Sequence, residues 1–135
     1  MNENDKTYQE LLEEIAQLKE KIKDLECSEA LHKKREKALS SELERVRLLI
    51  DTCPDFFFMK DLEFRYQLIN VSNLKFFDLH EDEVLGKTDI ELMPAKAAAR
   101  CRETDMQAID EKRLVVSVEG VGDRYYETYK FPVFE

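Results

Sequence analysis

Residues 54–70 read PDFFFMKDLEFRYQLIN, and this stretch decides how the rest of the chain is interpreted. The apolar run from Phe56 to Met59 has the length of a strand, and the charged residues after it form a turn. Arg65 to Ile69 then alternate as a second strand does. Asn70 stands where a side chain caps the start of a helix. We therefore predict two strands that lead into a helix over residues 71–77.

The sequence after this stretch predicts further helices and then two more strands. Short helices over residues 80–85 and 90–93 precede a longer one over residues 95–112, which contains no glycine or proline. Strands over residues 114–119 and 124–134 follow, separated by a tight turn at residues 120–123. This order predicts an α+β domain with one antiparallel sheet and the helices gathered on one face.

The residues before this domain have the composition of a long helix. The first 53 residues contain neither glycine nor proline, and Tyr8 is their only aromatic residue. Such a charged stretch without helix breakers favours a helix. We therefore divide the chain into a helical segment, residues 1–53, and a compact domain, residues 54–135.

The helical segment carries an apolar seam with the period of a coiled coil. Alternate steps of four and three residues give twelve seam positions between residues 11 and 50, of which nine are apolar. They are Leu11, Ile15, Leu18, Ile22, Leu25, Leu39, Leu43, Val46 and Ile50. β-Branched residues at a and leucine at d favour a parallel two-stranded coil, and opposite charges such as Glu14 and Lys19 would face each other between the copies. We expect a parallel homodimer.

The seam is interrupted at three positions, Glu29, His32 and Glu36. A loosened, solvated segment, a hinge or pH-sensitive His32 pair, and a short break in the helix are three explanations. Ser41 and Glu44 form a sequence that could cap a second helix. Leu39 keeps the seam in register, which favours one continuous helix.

The charge and the cysteines restrict the partners and the location. The 30 acidic and 21 basic residues give a net charge of −9, which argues against a nucleic-acid partner. No apolar run is long enough to cross a membrane, and Met1 opens a polar stretch. The three cysteines are widely spaced, as in a protein with reduced thiols. We expect a cytoplasmic protein without a membrane partner.

Four motifs in order resemble the PAS family of sensor domains. They are residues 54–61 (PDFFFMKD), the Ile69-Asn70 pair, residues 83–89 (EVLGKTD) and residues 130–133 (KFPV). The resemblance covers residues 50–135 and implies a PAS-like sheet preceded by a signalling coiled coil. It also implies a domain that senses a ligand or dimerises, and that controls an output domain such as a histidine kinase or a diguanylate cyclase.

The chain departs from the family pattern in two respects. Phe64 stands where the family usually has a glycine, so we expect an unusual turn there. The family also has a fifth strand between the first and the fourth, whereas this sequence ends with the fourth. We therefore expect a C-terminally truncated domain whose inner strand edges need a partner strand.

No constellation of residues predicts catalysis or a metal site, because the chain has only two histidines and three glycines. We therefore expect a non-enzymatic domain. Its interior could be a filled core, as in a ligand-free dimerisation scaffold, or could hold a small-molecule ligand of unknown identity. The residues predicted to line such a pocket are Asn70, Tyr66, Met59, Phe77, Arg100 and Tyr126. The predicted interior also includes Phe57, Leu68, Phe76, Ile90, Met93, Met106, Ile109, Val116, Val118 and Phe131.

Overall fold

The computed structural model describes residues 7–134, and the chain divides into two units between Leu48 and Leu49. Helix α1, Tyr8–Thr52, makes up the described part of the first unit and ends in the second. Thr7 and Glu10 cap its start reciprocally, since each backbone N–H donates to the other's side chain. The helix is continuous through the interrupted part of the seam, so the alternative of a short break is wrong. No helix within residues 7–134 is both long and apolar enough to cross a membrane.

The second unit has the predicted order of strands and helices. Its elements are β1 Phe58–Lys60, β2 Tyr66–Ile69, α2 Val71–Phe77, α3 Glu81–Val84, α4 Asp89–Leu92, α5 Ala95–Glu111, β3 Val115–Val121 and β4 Arg124–Lys130. The Asn70 side chain accepts a hydrogen bond from the backbone N–H of Asn73 and so caps α2 as predicted. The fold is α+β with antiparallel strands, as expected.

The strands pair in two hairpins and not in the single sheet that we predicted. β1 pairs with β2 and β3 pairs with β4, with no backbone pairing between the two pairs among residues 7–134. A register shift interrupts the first pair between Met59 and Lys60. In the second, Gly122 supplies the left-handed conformation (φ 61°) that the two-residue turn requires. Side chains therefore join the two hairpins.

The prediction of which side chains of the second hairpin face the interior was wrong. Val116 and Val118 are 52% and 61% exposed, whereas Val115 and Glu119 are buried. Because successive side chains of a strand point to opposite faces, choosing the wrong face misplaces every residue of the strand. The other predicted interior residues that prove to be exposed are Phe57, Met59, Ile90, Met106 and Phe131. A small apolar cluster of Tyr66, Ile69 and Val84 forms the core beside the first hairpin.

The turn between β1 and β2 is unusual, as the sequence predicted. Phe64 has a φ of 62°, in the left-handed region that glycine adopts without a steric penalty. Its ring lies under the guanidinium group of Arg102 of α5, 3.6 Å from the centroid. The aromatic side chain therefore ties the turn to α5 at the expense of local backbone strain.

Candidate functional site

A buried cluster of five charged side chains lies between α5 and the inner faces of both hairpins. Asp105 of α5 is at its centre, since one carboxylate oxygen lies 2.8 Å from Lys60 Nζ and the other 2.7 Å from Lys130 Nζ. Lys60 belongs to β1 and Lys130 to β4, and all three side chains are less than 10% exposed. Asp105 therefore joins two hairpins that share no backbone hydrogen bond.

A second carboxylate, Asp89 at the start of α4, completes the side of the cluster next to the first hairpin. Its two oxygens accept hydrogen bonds from Lys60 Nζ at 2.6 Å and from the Tyr66 hydroxyl at 2.8 Å. The Lys60 ammonium group also lies 4.9 Å from the centroid of the Tyr66 ring. The lysine of β1 is thus held by two carboxylates and an aromatic face.

The third carboxylate, Glu119 of β3, gathers the polar groups of the second hairpin and α5. One oxygen accepts hydrogen bonds from Lys130 at 2.8 Å and from the Thr104 hydroxyl at 2.5 Å. The Ser117 hydroxyl donates to the same oxygen, and the Cys101 thiol donates to the other at 3.2 Å. Every oxygen of the three carboxylates therefore has a donor, as burial of charge requires.

These contacts favour the charged forms of Glu119 and Lys130. Burial by itself would raise the pKa of Glu119, but the hydrogen bonds from Lys130 and Thr104 outweigh it and lower that pKa. Burial would lower the pKa of Lys130, but Asp105 and Glu119 raise it above its ordinary value. Burial and the neighbouring Glu119 raise the pKa of the Cys101 thiol to about 12, so this thiol is protonated at neutral pH and is not a nucleophile. The cluster has three negative and two positive charges and no evident catalytic group.

The sequence of α5 allows these long side chains to meet. Its buried residues are Ala98, Cys101, Thr104 and Ala108, which lie on one stripe and are all small. Small side chains cannot fill the space between a helix and a sheet by themselves, so long side chains from the strands occupy it.

Asn70 forms a second buried centre, where the end of α1 meets the domain. Its side-chain oxygen accepts hydrogen bonds from the backbone N–H groups of Phe57 and Asn73, at 3.1 and 3.2 Å. Its amide nitrogen donates to the carbonyl oxygens of Ile50 and Asp55, at 2.8 and 2.9 Å. Asn70 is 0% exposed, so water cannot replace these bonds without a structural change.

Two further hydrogen bonds hold the same junction. The backbone N–H of Val71 donates to the Asp51 carboxylate at 3.1 Å, and the Ser72 hydroxyl donates to the Cys53 carbonyl at 2.7 Å. We call the side chains of Asn70, Ser72 and Asp51, with their backbone partners, the junction clamp. It ties the last residues of α1 to the start of α2.

The first hairpin connects the junction clamp to the charged cluster. Phe57 and Asn70 lie at one end of the β1–β2 pair. There the backbone N–H of Asn70 donates to the carbonyl of Phe57, and the backbone N–H of Phe57 donates to the side-chain oxygen of Asn70. Lys60 and Tyr66 are paired at the other end and both contact Asp89. Only Phe58 and Met59 therefore lie between Phe57 of the junction clamp and Lys60 of the charged cluster.

The structure brings only some of the predicted pocket residues together. Tyr66 and Asn70 are buried, and the ring of Phe77 packs against that of Tyr66. Tyr126 packs against Phe56 and Phe76, and its hydroxyl is the one fully buried side-chain polar atom without a hydrogen-bond partner among residues 7–134.

Two predicted pocket residues lie elsewhere. Arg100 is exposed and pairs with Glu103 at 2.6 Å, on the outer side of α5. Met59 is 48% exposed, because its side chain points away from the face on which Phe58 and Lys60 lie. Neither contributes to the interior of the domain.

The charged cluster was not predicted, although the alternation of residues in β3 indicates it. In Val115–Val121 the polar residues Ser117 and Glu119 alternate with Val116 and Val118, and the wrong set was assigned to the interior. Among residues 7–134, no group of three or more His, Cys, Asp or Glu side chains is arranged so that it could hold a metal ion. A surface depression of about 320 Å³ lies between α2 and α3, lined by residues such as Leu74, Lys75 and His80.

Comparisons with known proteins agree on one family. The family model described as PAS fold matches residues 50–135. The methanogenesis regulatory histidine kinase FilI of Methanothrix harundinacea is 33% identical over 105 residues, which are 78% of this chain and 12% of FilI. The virulence sensor protein BvgS of Bordetella pertussis is 43% identical over 56 residues, 42% of this chain and 4% of BvgS. The chain thus spans a small part of the curated relatives that it matches.

Solved structures show the same fold. The PAS domain of Bordetella pertussis BvgS superposes with a TM-score of 0.50 at 30% identity, over 72% of this chain and 78% of that one. A domain of an HTR-like protein from Haloarcula marismortui superposes with a TM-score of 0.57 at 22% identity, over 62% of this chain and 85% of that one. The antiparallel strands and the helices between them are common to these domains.

Proposed function

The chain belongs to the PAS-fold family, and from this premise we propose that it is a cytoplasmic signal-transduction module: a homodimeric sensor domain that acts through a coiled coil on an output domain. A histidine kinase is the output that the relatives support, since FilI is named as one, and a diguanylate cyclase is the other candidate. A PAS domain is itself sensory and not catalytic, which agrees with the absence of a catalytic arrangement around the ionised cluster in the described residues.

The dimer is supported by the exposure of the seam. Eight of the nine apolar seam residues of α1 are 44% to 68% exposed in the single chain, and the ninth, Ile50, is half-buried. They are Leu11, Ile15, Leu18, Ile22, Leu25, Leu39, Leu43 and Val46. A continuous helix with such an apolar stripe is stabilised when a second helix covers it. We propose a second copy of α1, in parallel, as that partner.

The mechanism that we propose rests on one observation, the junction clamp. Asn70 ties the carbonyl of Ile50, in the last turn of α1, to the backbone of Phe57 at the entry to β1. A change in the domain that displaces β1 would therefore change the position of the end of α1. Such a signal requires an input that favours one arrangement of the helix pair over the other.

Sedimentation equilibrium with charge-reversed variants tests the dimer. Glu14→Lys with Glu42→Lys would place like charges across the parallel seam and weaken dimerisation, by a few tenths of a kcal/mol for each exposed pair. Adding Lys19→Glu and Arg47→Glu would restore the opposite charges and the affinity. A monomeric chain, or a dimer that ignores both sets of changes, would contradict the parallel register.

Spin-label distances test the coupling. A label at Glu44→Cys, with the three native cysteines replaced by serine or alanine, would report the separation of the two helices. Asn70→Ala should change or broaden that distance distribution, whereas Gln67→Ala, an exposed change in β2, should not. An unchanged distribution in the folded Asn70→Ala dimer would exclude the clamp as the coupling element.

A ligand-free dimerisation scaffold is the second candidate, and the charged cluster favours it. Each charged side chain of the cluster has an oppositely charged partner within the chain, so none of them requires a ligand as its partner. A ligand-binding sensor would instead use the space around Tyr66, Asn70, Phe77 and Tyr126. Native mass spectrometry distinguishes the two, since a sensor should retain, or gain on addition of a metabolite, a defined extra mass on each dimer.

A further inference from the structure

The interrupted part of the α1 seam has an unusual composition. Glu29, His32 and Glu36 occupy three consecutive seam positions, while every other seam position from Leu11 to Ile50 is apolar. Because α1 is continuous through this part, the three residues lie on the same stripe as the apolar ones. All three are residue types that bind divalent metal ions.

The direction of helical side chains brings two of these residues together. Side chains lean toward the N-terminus of their helix, so that a residue covers the turn before its own Cα. The Glu36 carboxylate therefore extends toward the level of His32, about 6 Å earlier along the axis. In a parallel pair in register, two Glu36 carboxylates and two His32 imidazoles would converge on one point of the seam.

The polar seam residues differ in the contacts that they make within one chain. Glu29 is neutralised within its own chain, since Lys33 Nζ lies 2.7 Å from its carboxylate. Among residues 7–134, neither the His32 side chain nor the Glu36 side chain makes a hydrogen bond or an ion pair. Two Glu36 carboxylates facing each other would repel; the basic residues at positions 33–35 and 37 reduce this repulsion, and a cation bound between the carboxylates would remove it.

We propose that two copies of α1 together bind one divalent transition-metal ion, such as Zn²⁺, through His32 and Glu36 of each copy. Two nitrogen and two carboxylate-oxygen ligands suit the tetrahedral coordination of Zn²⁺. Glu29 lies one turn earlier and can accept the second N–H of the imidazole, as carboxylates do around metal-bound histidines. The site is incomplete in one chain and rests on the parallel dimer proposed above.

Such a site would regulate the coiled coil. Without metal, the polar centre leaves the seam loose between two apolar segments, Leu11 to Leu25 and Leu39 to Ile50. With metal, the two helices are joined at that point, and the ion stabilises the dimer because it binds only the associated state. Metal availability would therefore change how α1 responds to the domain.

Sedimentation equilibrium of the whole chain, in EDTA and then with ZnCl₂, tests this proposal. We expect Zn²⁺ to raise the dimer association constant at least tenfold, with one ion per dimer by native mass spectrometry. Glu36→Gln should abolish the Zn²⁺ effect. His32→Leu should abolish it as well while tightening the dimer in EDTA, because leucine restores the seam; that gain shows that the variant is folded.

Two matched controls exclude other zinc ligands. The chain has one other histidine, His80, and one exposed cysteine near the site, Cys27. His80→Gln and Cys27→Ser should both retain the full Zn²⁺ effect. A dimer that ignores Zn²⁺, or a Zn²⁺ effect that survives His32→Leu, would overturn the site but leave the proposed dimer intact. A chain that stays monomeric with and without Zn²⁺ would overturn both.

Discussion

Replacing Asn70 by alanine tests the junction clamp directly. The change removes the acceptor for the N–H groups of Phe57 and Asn73 and the donor to the carbonyls of Ile50 and Asp55. At about 1 kcal/mol for each lost hydrogen bond, four bonds correspond to about 3–5 kcal/mol once partial solvation of the small cavity is allowed for. That is a large part of the 5–15 kcal/mol that typically stabilises a domain.

Two measurements separate this effect from general destabilisation. The free energy of unfolding in urea should fall by the amount given above. Native-state hydrogen exchange should show lost protection at the amide of Phe57, which donates to the Asn70 side chain; the Asn73 amide keeps the backbone carbonyl of Asn70 as an acceptor. Gln67→Ala, an exposed change whose side chain bonds only to Asp61, should alter stability by less than about 0.5 kcal/mol. A stability loss below about 1 kcal/mol for Asn70→Ala, with the Phe57 amide still protected, would refute the reasoning.

The isosteric Asn70→Asp variant adds a pH signature. A carboxylate at this position would keep the acceptor but would face the carbonyls of Ile50 and Asp55 without a proton. Burial and these oxygens would raise its folded pKa above the unfolded value, so the protonated form would be preferred in the folded state. The stability of this variant relative to the native chain should therefore rise as the pH is lowered and fall as the pH passes upward through the raised pKa.

Four further results are expected in urea or acid unfolding. Asp105→Asn should cost about 3–5 kcal/mol, because it removes the charge shared by two buried ammonium groups. Phe64→Gly should be at least about 1 kcal/mol more stable than Phe64→Ala, since both lose the contact with Arg102 but only glycine relieves the left-handed backbone. Tyr126→Phe should be neutral or stabilising, and a loss above about 1 kcal/mol would mean that the hydroxyl bonds a water or a ligand. The lowered pKa of Glu119 contributes stability that is complete above the unfolded value near pH 4.3 and is lost at lower pH, so Glu119→Gln should flatten the acid limb of the stability curve.

The features that local sequence determines were predicted well. Helix α2 has the bounds that were expected because Asn70 caps it, and α1 is continuous because Tyr8–Thr52 contains neither glycine nor proline. An unusual turn was expected at Phe64, because the family usually has a glycine there, and the structure shows Phe64 in the left-handed region. Caps, turns and the absence of helix breakers act within a few residues, so they can be read without knowing the tertiary structure.

The interior was not predicted, because it depends on which elements face each other. The alternation in β3 gave two correct sets of residues, but the apolar set was assigned to the interior by default. The surface of α5 determines which face of β3 is buried. Its inner stripe consists of small residues between Ala98 and Ala108, with Asp105 beside them. Small residues on α5 leave room for long side chains from the strand that packs against them. Lys130 and Glu119 fill that space better than Val116 and Val118 would.

The energetics of the cluster support the proposal that β1 couples the charged cluster to the junction clamp. A buried ionised group that loses its partner is far more costly than an exposed one, so the bonds of Lys60 to Asp89 and Asp105 allow β1 few positions. Asn70 restricts the other end of β1 through its hydrogen bond with Phe57. Because Asn70 is buried, water cannot replace this bond, and breaking it costs more free energy than breaking an exposed one. A strand of three residues held at both ends cannot move at one end alone. Under the mechanism proposed above, a displacement of the charged cluster would therefore reach the junction clamp through β1, and would reach the last turn of α1 through the hydrogen bond from Asn70 to the Ile50 carbonyl.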